Sequence, residues 1–258
     1  MAAISLFSVP KSEYADSLRV PTPKSLAEHD VQKTRDIDSY LIKRANEYGS
    51  PIGYIQEQNG VLVQNLFPIV GNETRQISSS SKVQLELHTE TAFHPWKPDF
   101  LMLFCLRGDR TAETTISLLV DILGSLSSKT IEILKEPRFS TSIDVSFQNE
   151  NQPDKVIRMS VLSDDCSTMT FDQTLMRGND IEAQDALERF RQAVYQNLMG
   201  LTLDKGDLLV IDNHRAIHGR GPFAPRYDGT DRWLKRVMVR TELPPAEHMC
   251  GCVITTML

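Results

Sequence analysis

Apolar residues recur at the spacing of an α-helix in two stretches of the chain. The first stretch covers residues 37–48, where apolar side chains fall three or four positions apart. The second and clearer one is Ile181–Met199, whose apolar stripe is preceded by Asn179 and Asp180 and followed by Gly200. Either Asn179 or Asp180 can cap the first turn, and a glycine is typical of a helix end, so the pattern predicts one helix between these punctuating residues.

Short β-type runs separate these helices, together with two briefer helical stretches at 118–123 and 130–135. The predicted strands are Ile52–Gln56, Val61–Phe67, Leu101–Leu106, Asp207–Asp212 and Trp233–Thr241. The dipeptide Asn59-Gly60 lies between the first two runs and predicts a β-hairpin there. Several strands with helices gathered in a few places predict an α+β protein built on a β-sandwich or a β-barrel, and the pattern alone does not choose between them.

The composition fits one folded domain. Of 258 residues, 40% are hydrophobic and 24% are charged, which excludes an intrinsically disordered chain. We find no internal repeat and no linker, so we expect a single domain over residues 1–258. The first 34 residues are polar and interrupted by Pro10, Pro21 and Pro23, and we expect them to wrap the surface.

Charge and hydropathy exclude several classes of function. A formal net charge of −6 argues against a nucleic-acid-binding protein. There is no apolar run long enough to span a membrane and no signal peptide, so we expect a soluble, cytoplasmic protein. The sequence Cys250-Gly251-Cys252 is too small a thiolate set for a confident metal site, and we interpret it as part of an exposed tail.

The first chemical candidate is the segment Leu85–Thr91, whose alternation predicts the end of a strand. On a strand, His88 and Glu90 would share one face, with Cα atoms about 6–7 Å apart. An imidazole and a carboxylate in that arrangement can bind one metal ion. A His-x-Glu tripeptide is common by chance, however, so the motif needs support from elsewhere in the chain.

That support comes from the strand at 207–212, which is followed by His214 and His218. Either histidine could complete a facial triad of two histidines and one carboxylate, which leaves coordination positions open for oxygen chemistry at Fe(II). Arg232 lies fourteen residues past His218, at the start of the next predicted strand. A guanidinium there can form a bidentate pair with the distal carboxylate of 2-oxoglutarate.

In these blocks the chain resembles the clavaminate synthase-like, TauD-related Fe(II)/2-oxoglutarate-dependent oxygenases. It looks closest to the arginine and asparagine β-hydroxylases of peptide-antibiotic pathways. The resemblance spans about Tyr54–Thr241, and its blocks stand in the family's order: Ser78-Ser79-Ser80-Ser81, His88-Thr89-Glu90, Asp212-Asn213, Ala216, His218-Gly219-Arg220 and Asp231-Arg232-Trp233-Leu234-Lys235-Arg236. It implies a distorted double-stranded β-helix, or jelly roll, with flanking helices.

The resemblance also implies the cofactors and the residues that hold them. His88, Glu90 and His218 match the Fe(II) ligands. Arg232 matches the residue that binds the C5 carboxylate of 2-oxoglutarate, and Thr115 matches an assisting hydroxyl, with Thr114 as the alternative. The implied reaction consumes O₂ and 2-oxoglutarate, releases succinate and CO₂, and hydroxylates an unactivated C–H bond; desaturation is the known variation.

The remaining histidines are interpreted as outside the ligand set. His214 would be eighteen residues from Arg232, so we prefer His218 as the ligand and expect His214 to be a polar turn residue. His94 lies four residues past Glu90 and is expected at the rim of the pocket.

A third set of residues matches the substrate site of the family's amino-acid hydroxylases. Arg236 matches the residue that pairs with the substrate α-carboxylate, and Asp172 matches a lid residue that reads the side chain. Glu57, Ser78, Ser79 and Glu90 match the residues around the α-amino group. The arginine hydroxylases carry a second aspartate where this chain has Thr174, which argues against free arginine. A single carboxylate at Asp172 still suits an amide, ureido, hydroxyl or amine group better than an apolar side chain.

Two other functions compete with hydroxylation of a free amino acid. The substrate could be tethered to a carrier protein or lie within a peptide, which would leave Arg236 without its carboxylate. The chain could also be a metal-binding jelly-roll module without catalysis, although such a module has no use for Arg232. Family members often carry a longer leading segment, so part of the substrate cover could be missing, built from residues 1–34, or supplied by another subunit in a homo-oligomer.

Overall fold

Most of the apolar runs form short strands. The computed structural model describes residues 2–144, 147 and 155–256. Within these ranges the strands are β1 (Ile4–Ser8), β2 (Ser50–Tyr54), β3 (Gln64–Leu66), β4 (Leu85–His88), β5 (Phe100–Arg107), β6 (Thr114–Leu118), β7 (Phe139–Ser142), β8 (Val156–Met159), β9 (Met176–Gly178), β10 (Met199–Leu201), β11 (Asp207–Asp212), β12 (Ala216–Arg220), β13 (Trp233–Arg240), β14 (Met249–Cys250) and β15 (Val253–Ile254).

The strands pair into two large sheets and one small one. The major sheet has the order β1-β11-β5-β13-β2-β15-β14, with β3 also paired to β13. The minor sheet has the order β10-β6-β12-β4, and β8-β7-β9 form a small third sheet. The major and minor sheets face each other across a shared apolar core, which confirms the predicted jelly roll.

Four helices cover the outer faces of the two large sheets: α1 (Arg35–Ala45), α2 (Leu119–Gly124), α3 (Ser128–Lys135) and α4 (Ile181–Gln196). Asp180 is the N-cap of α4, and its carboxylate accepts a hydrogen bond from the Ala183 amide at 2.9 Å. The predicted end of α4 was three residues too late, because Met199 and Gly200 belong to β10. Among the described residues, no helix is long and apolar enough to cross a membrane.

The core has three apolar layers, which follow from alternation along the strands. Leu103, Leu209 and Leu234 of the major sheet pack against Ile116 and Ala216 of the minor sheet. A second cluster joins α1 to the outer face of the major sheet, and a third joins α2, α3 and α4 to the outer face of the minor sheet. Strand β13 therefore presents its even-numbered residues to the space between the sheets and its odd-numbered residues to α1.

The predicted hairpin at Asn59-Gly60 is wrong. Strands β2 and β3 do not pair with each other, since both run antiparallel to β13, β2 at its end and β3 at its beginning. Gln58, Asn59 and Gly60 all have positive φ, at 45°, 56° and 77°. They make a single turn of 3-10 helix that redirects the chain along the same neighbouring strand.

The first 34 residues contribute more than a surface wrap. Strand β1 pairs antiparallel with β11 and adds an edge to the major sheet. Further along, Leu18 is buried in the cluster beneath α1. The four cysteines are free thiols, with Cys105 buried and Cys250 exposed.

Candidate active site

The pairing of β12 with β4 brings two histidines together. His218 lies directly opposite His88 in this antiparallel pair, and the centroids of the two imidazole rings are 4.6 Å apart. Gly219 allows this approach, because a Cβ atom on that residue would lie 2.7 Å from the Leu85 carbonyl oxygen. The glycine of the His-Gly-Arg sequence is therefore needed for close contact between two backbones.

Glu90 joins the two histidines from just outside the strand. Strand β4 ends at His88, so Glu90 does not share a strand face with it as the sequence pattern predicted. Instead, Asn213 holds the backbone of Glu90: its Oδ1 accepts from the Glu90 amide at 2.6 Å, and its Nδ2 donates to the Glu90 carbonyl at 3.1 Å. The same Nδ2 also donates to the Pro98 carbonyl at 2.8 Å. Because Asn213 is fully buried, these bonds fix the direction of the Glu90 side chain.

The three side chains form a cluster of suitable shape for a metal ion. One ligand atom from each of His88, Glu90 and His218 lies within 4.8 Å of the others. Oε2 of Glu90 is 3.5 Å from Nε2 of His218 and 4.0 Å from Nε2 of His88. Nδ1 of His88 lies 2.7 Å from the Glu86 carbonyl oxygen, to which it donates, so its Nε2 keeps a free lone pair.

Arg236 sets the electrostatics of Glu90. Its Nη1 donates to Oε1 of Glu90 at 2.8 Å, which leaves Oε2 to face the histidines. Burial alone would raise the pKa of the Glu90 carboxyl, but Arg236 and His218 outweigh that effect and hold the pKa well below its usual range. Glu90 is therefore ionised, as a metal ligand must be.

The rest of the Arg236 guanidinium is also engaged. Nη2 donates to both Glu57 carboxylate oxygens, at 3.1 and 3.0 Å, and Nε donates to Oε1 of Gln64 at 2.8 Å. Nη2 also contacts Oε1 of Gln64. Arg236, Glu57 and Glu90 were predicted from the sequence as site residues. Gln64 was not, because no local pattern distinguishes it from a surface glutamine.

Arg232 contrasts with Arg236 in having no carboxylate partner. It is 8% exposed and lines a cavity between the two large sheets, which His88, Glu90 and His218 also line. Among the described residues it forms neither an ion pair nor a hydrogen bond. Burial lowers the pKa of its guanidinium to about 10, which still leaves the group charged at neutral pH. The charge of Asp109 acts on Arg232 without a contact, and Asp109 itself pairs with Arg226 at 3.7 Å, so Arg232 is a buried cation that an anion from outside the protein can bind.

The two neighbouring threonines of β6 point in opposite directions. Thr114 lines the cavity and lies opposite Arg220 in the β6–β12 pair. Thr115 lies opposite Gly219 on the other face of the strand, where its buried Oγ1 has no hydrogen-bond partner among the described residues. The geometry thus favours Thr114, the alternative, over Thr115 as the hydroxyl in contact with a ligand.

The other predicted substrate residues lie at different distances from the cavity. Ser78 lines it, whereas the Ser79 hydroxyl accepts a hydrogen bond from Asn72 at 2.9 Å. Asp172 forms an isolated bridge with His88, beside the cluster. Its Oδ1 caps a turn by accepting from the amides of Thr174 and Leu175, at 2.9 and 2.7 Å.

His214 and His94 are both outside the cluster. Nε2 of His214 pairs with Asp99 at 2.7 Å, so His214 is a half-buried residue of the turn between β11 and β12, as expected. His94 does not lie at the rim of the cavity as predicted. It is buried against Tyr54, with ring centroids 4.8 Å apart, and burial lowers its pKa to about 4.

The fold and the site together define a class of protein. A jelly roll that holds two imidazoles and one carboxylate beside a cavity, with an unpaired buried arginine in its wall, has the donor set of the non-haem iron oxygenases. Comparison with known proteins gives the family. Residues 42–238 match the model of the taurine catabolism dioxygenase TauD, TfdA family, and the chain belongs to that family of dioxygenases.

Relatives of known activity cover most of the chain. The L-lysine 3-hydroxylase of Catenulispora acidiphila is 36% identical over 234 residues, which are 88% of this chain and 65% of the hydroxylase. The L-asparagine oxygenase of Streptomyces coelicolor is 34% identical over 238 residues, which are 91% of this chain and 71% of the oxygenase. The chain thus spans about two thirds of the length of these relatives.

A solved structure agrees with the fold at similar identity. The crystal structure of the non-haem iron oxygenase OrfP in complex with Fe and alpha-ketoglutaric acid superposes with a TM-score of 0.87 and 32% sequence identity. The superposition covers 98% of this chain and 81% of OrfP. The family resemblance drawn from the sequence is confirmed.

Proposed function

We propose that this chain hydroxylates an unactivated C–H bond of a free α-amino acid with a polar side chain, using Fe(II), 2-oxoglutarate and O₂. One oxygen atom of O₂ enters the substrate and the other enters succinate, with release of CO₂. The observation that carries the proposal is a single cavity. It is lined both by the cluster of His88, Glu90 and His218 and by Arg232, which has no ion-pair partner among the described residues. The activities named for the lysine and asparagine relatives support an amino-acid substrate.

The cluster fits Fe(II) better than a structural zinc ion. Structural zinc prefers four closed protein ligands, whereas two imidazoles and one carboxylate leave positions open. Bound iron, with 2-oxoglutarate and O₂, supplies the oxidising power for C–H hydroxylation. The protein's part is to keep Glu90 ionised and aimed through Arg236 and Asn213, and to orient the ring of His88 through the hydrogen bond from its Nδ1 to the Glu86 carbonyl, so that Nε2 faces Glu90.

Arg232 fits the co-substrate because 2-oxoglutarate is a dicarboxylate. One end of such a ligand can chelate the metal, which leaves the other carboxylate for a guanidinium further along the cavity. An ion pair formed with a buried arginine is strengthened by the exclusion of water and by bidentate hydrogen bonding. The cavity wall also has an apolar part, which includes Leu103 and Leu234.

The charges around Arg236 suit an amino-acid zwitterion. A guanidinium has five N–H donors, and the bonds to Glu57, Glu90 and Gln64 use four of them, which leaves one Nη1 hydrogen. A substrate carboxylate can accept from this face of Arg236, while Glu57 can accept from the substrate ammonium group. A peptide or ester lacks one of these charges, so the site favours the free amino acid.

Asp172 is the proposed reader of the substrate side chain. Only its Oδ1 is used in the turn with Thr174 and Leu175, so Oδ2 can accept a hydrogen bond from a polar side chain. A carboxylate at this place would favour amide, ureido, guanidino or amine groups over aliphatic side chains.

The test is a screen of free amino acids with Fe(II), 2-oxoglutarate and O₂, measuring succinate and a mass gain of one oxygen in the amino acid. The best substrate is then compared with its methyl ester and its amide. We expect the free acid to be turned over and the two blocked forms to be poor substrates. Equal turnover of all three would contradict the role of Arg236 and favour a tethered or peptide substrate.

Three variants test the site residues. His218→Ala should abolish the visible absorption of the anaerobic complex with Fe(II) and 2-oxoglutarate, whereas His214→Ala should retain it. Arg232→Ala should raise the KM for 2-oxoglutarate by about ten- to a hundredfold, since losing a charge-assisted pair costs about 1.5–3 kcal/mol. An Arg232→Ala variant with unchanged dependence on 2-oxoglutarate would remove Arg232 from the co-substrate site.

A further inference from the structure

Three guanidinium groups line the cavity, and only one of them is neutralised by the protein. Arg236 has the carboxylates of Glu57 and Glu90 as partners. Arg232 and Arg220 line the same cavity, and within the described part of the chain neither forms an ion pair with a carboxylate. The wall thus carries two positive charges that no carboxylate of the described residues contacts.

Arg220 faces the cavity because of its position on β12. It lies two residues after His218, so both side chains project from the same face of the strand. Its partner across the β6–β12 pair is Thr114, which also lines the cavity. Arg220 is 4% exposed, which excludes bulk water as the partner of its charge.

The contacts of Arg220 hold it in place without neutralising it. Nη1 donates to the Ser80 carbonyl at 2.8 Å, and Nη2 donates to the Ser80 hydroxyl at 2.9 Å and to the Val83 carbonyl at 3.3 Å. The guanidinium carbon lies 5.0 Å from the ring centroid of Phe223. The acceptors are all neutral, and the buried Nε has no hydrogen-bond partner among the described residues.

Two neighbouring buried cations are unfavourable unless one anion serves both. Arg220 and Arg232 line the same cavity and are 4% and 8% exposed, so neither guanidinium is well solvated. Desolvation disfavours each charge, and a carboxylate bound near both groups offsets that cost for each. Arginine is suited to this role because its planar fork can bind a carboxylate while its other donors stay engaged.

We propose that Arg220 and Arg232 form one anion site, in which Arg220 is a second binding residue for the 2-oxoglutarate carboxylate that is remote from the metal. This inference rests on the proposed function and extends it from one anchoring arginine to two. It also gives the hydrogen bonds to Ser80 and Val83 a purpose, since they orient Arg220 toward the cavity.

The test compares two metal-chelating 2-oxo acids that differ in the distal carboxylate. The dissociation constants of 2-oxoglutarate and pyruvate are measured by calorimetry on the anaerobic Fe(II)-loaded protein, for the wild type and for Arg220→Gln, Arg220→Lys and Arg107→Gln. Arg107 is the matched control, because it also donates only to neutral acceptors, Val20 O and Thr22 Oγ1, and lies outside the cavity.

We expect the Arg220→Gln substitution to weaken the binding of the dicarboxylate 2-oxoglutarate and to leave the binding of the monocarboxylate pyruvate nearly unchanged. Arg220→Gln should weaken 2-oxoglutarate binding by about tenfold or more, the effect of losing one charge-assisted contact, and should change pyruvate binding by less than about threefold. Arg220→Lys should recover most of the affinity because it keeps the charge. Arg107→Gln should bind both acids as the wild type does.

Two results would overturn the inference. Equal weakening of both acids by Arg220→Gln, without recovery in Arg220→Lys, would make Arg220 a purely structural clamp on Ser80 and Val83. Unchanged 2-oxoglutarate binding in Arg220→Gln would exclude it from the anion site. A wild-type protein that binds no 2-oxoglutarate would instead refute the proposed function, so the two failures are distinguishable.

Discussion

Asn213 offers no ligand atom to the metal cluster, yet its amide group satisfies both backbone groups of Glu90. The side chain acts as a short piece of strand alongside Glu90, in the place where β4 has already ended. Only a side-chain amide can make both hydrogen bonds, because Oδ1 must accept from the Glu90 amide and Nδ2 must donate to the Glu90 carbonyl. The direction of a metal ligand therefore depends on a residue more than a hundred positions away in the sequence.

Replacing Asn213 by aspartate should weaken metal binding. The new oxygen would face the carbonyl oxygens of Glu90 and Pro98, to which Nδ2 now donates. Groups that orient metal ligands contribute about 10- to 100-fold in affinity, and we expect a loss in this range. A chelator competition titration with Fe(II) or Co(II) measures it.

Asn197→Asp is the control for the Asn213 variant. Asn197 also donates through Nδ2, to Ser125 and to the Ala193 carbonyl, but it does so at the end of α4 and outside the cavity. A fall in thermal stability of Asn213→Asp with unchanged metal affinity would contradict the orienting role.

Some of these residues could be predicted from the sequence and others could not, for a physical reason. His88, Glu90, His218 and Arg232 could be predicted to lie together because their residue types and spacing are those of the proposed metal and co-substrate site, and the structure brings all four to one cavity. Asn213 belongs to a block of the family resemblance but had no role assigned from the sequence, and Gln64 was not singled out, because the contacts of both amides come only from long-range pairing. The choice between Thr114 and Thr115 as the hydroxyl in the cavity likewise could not be made from the sequence. It depends on which face of β6 points into the cavity, and the pairing of β6 with β12 decides that.

At the scale of elements, the contact between β4 and β12 determines the distance between the two histidines. Gly219 makes this contact possible, and Gly219→Ala should disturb it. The added methyl group would lie 2.7 Å from the Leu85 carbonyl and 3.1 Å from the Leu87 side chain, so the strands must move apart. We expect a loss of about 1–3 kcal/mol in unfolding free energy and weaker metal binding.

Gly221→Ala is the matched control for this change. It lies two residues further along, and its nearest neighbours would be 3.9 Å from a new Cβ atom, an ordinary contact. Chemical unfolding and metal titration of both variants separate the two cases. Equal stability of Gly219→Ala and Gly221→Ala would show that the β4–β12 contact tolerates the extra volume.

Helices and turns with clear local sequence patterns were predicted correctly, whereas the strands with which each strand pairs were not predicted. Helix α4 has an apolar stripe and an N-cap that act within a few residues, so its start at Ile181 followed from the sequence. The Asn59-Gly60 turn also formed, but a turn fixes only the local direction of the chain. Which strand β2 and β3 would join was decided by the apolar face of β13, which the local pattern does not contain.

At the scale of the whole molecule, Asp99 links the ends of two strands of the major sheet. Its carboxylate pairs with His214 in the turn after β11 and accepts hydrogen bonds from the amide and hydroxyl of Thr241, just past β13, both at 2.7 Å. Burial would raise the pKa of Asp99, but these donors outweigh it and hold the pKa well below its usual range.

Protonation of Asp99 at acidic pH should therefore lower the free energy of unfolding. A carboxyl whose pKa is lower in the folded than in the unfolded chain stabilises the fold above about pH 4, and that contribution is lost as the pH falls toward the folded-state pKa. Asp99→Asn should cost about 1–3 kcal/mol at pH 7, and its difference from the wild type should shrink progressively below about pH 4. Urea unfolding at several pH values measures both.

Asp185→Asn, on the exposed side of α4, is the control and should change stability by less than about 0.5 kcal/mol. A difference between Asp99→Asn and the wild type that stays constant from pH 7 to pH 3 would show that the ionised carboxylate is not the stabilising form.

The pairing of His218 with His88 also has a consequence for the newly made chain. During synthesis, β4 with His88 and Glu90 leaves the ribosome well before β12, and Arg232 and Arg236 follow later still. A nascent or prematurely ended chain that lacks β12 can present at most two of the three metal ligands. The complete cluster exists only once β12 has paired with β4, so binding of a metal ion by all three side chains would report that this long-range pairing has formed.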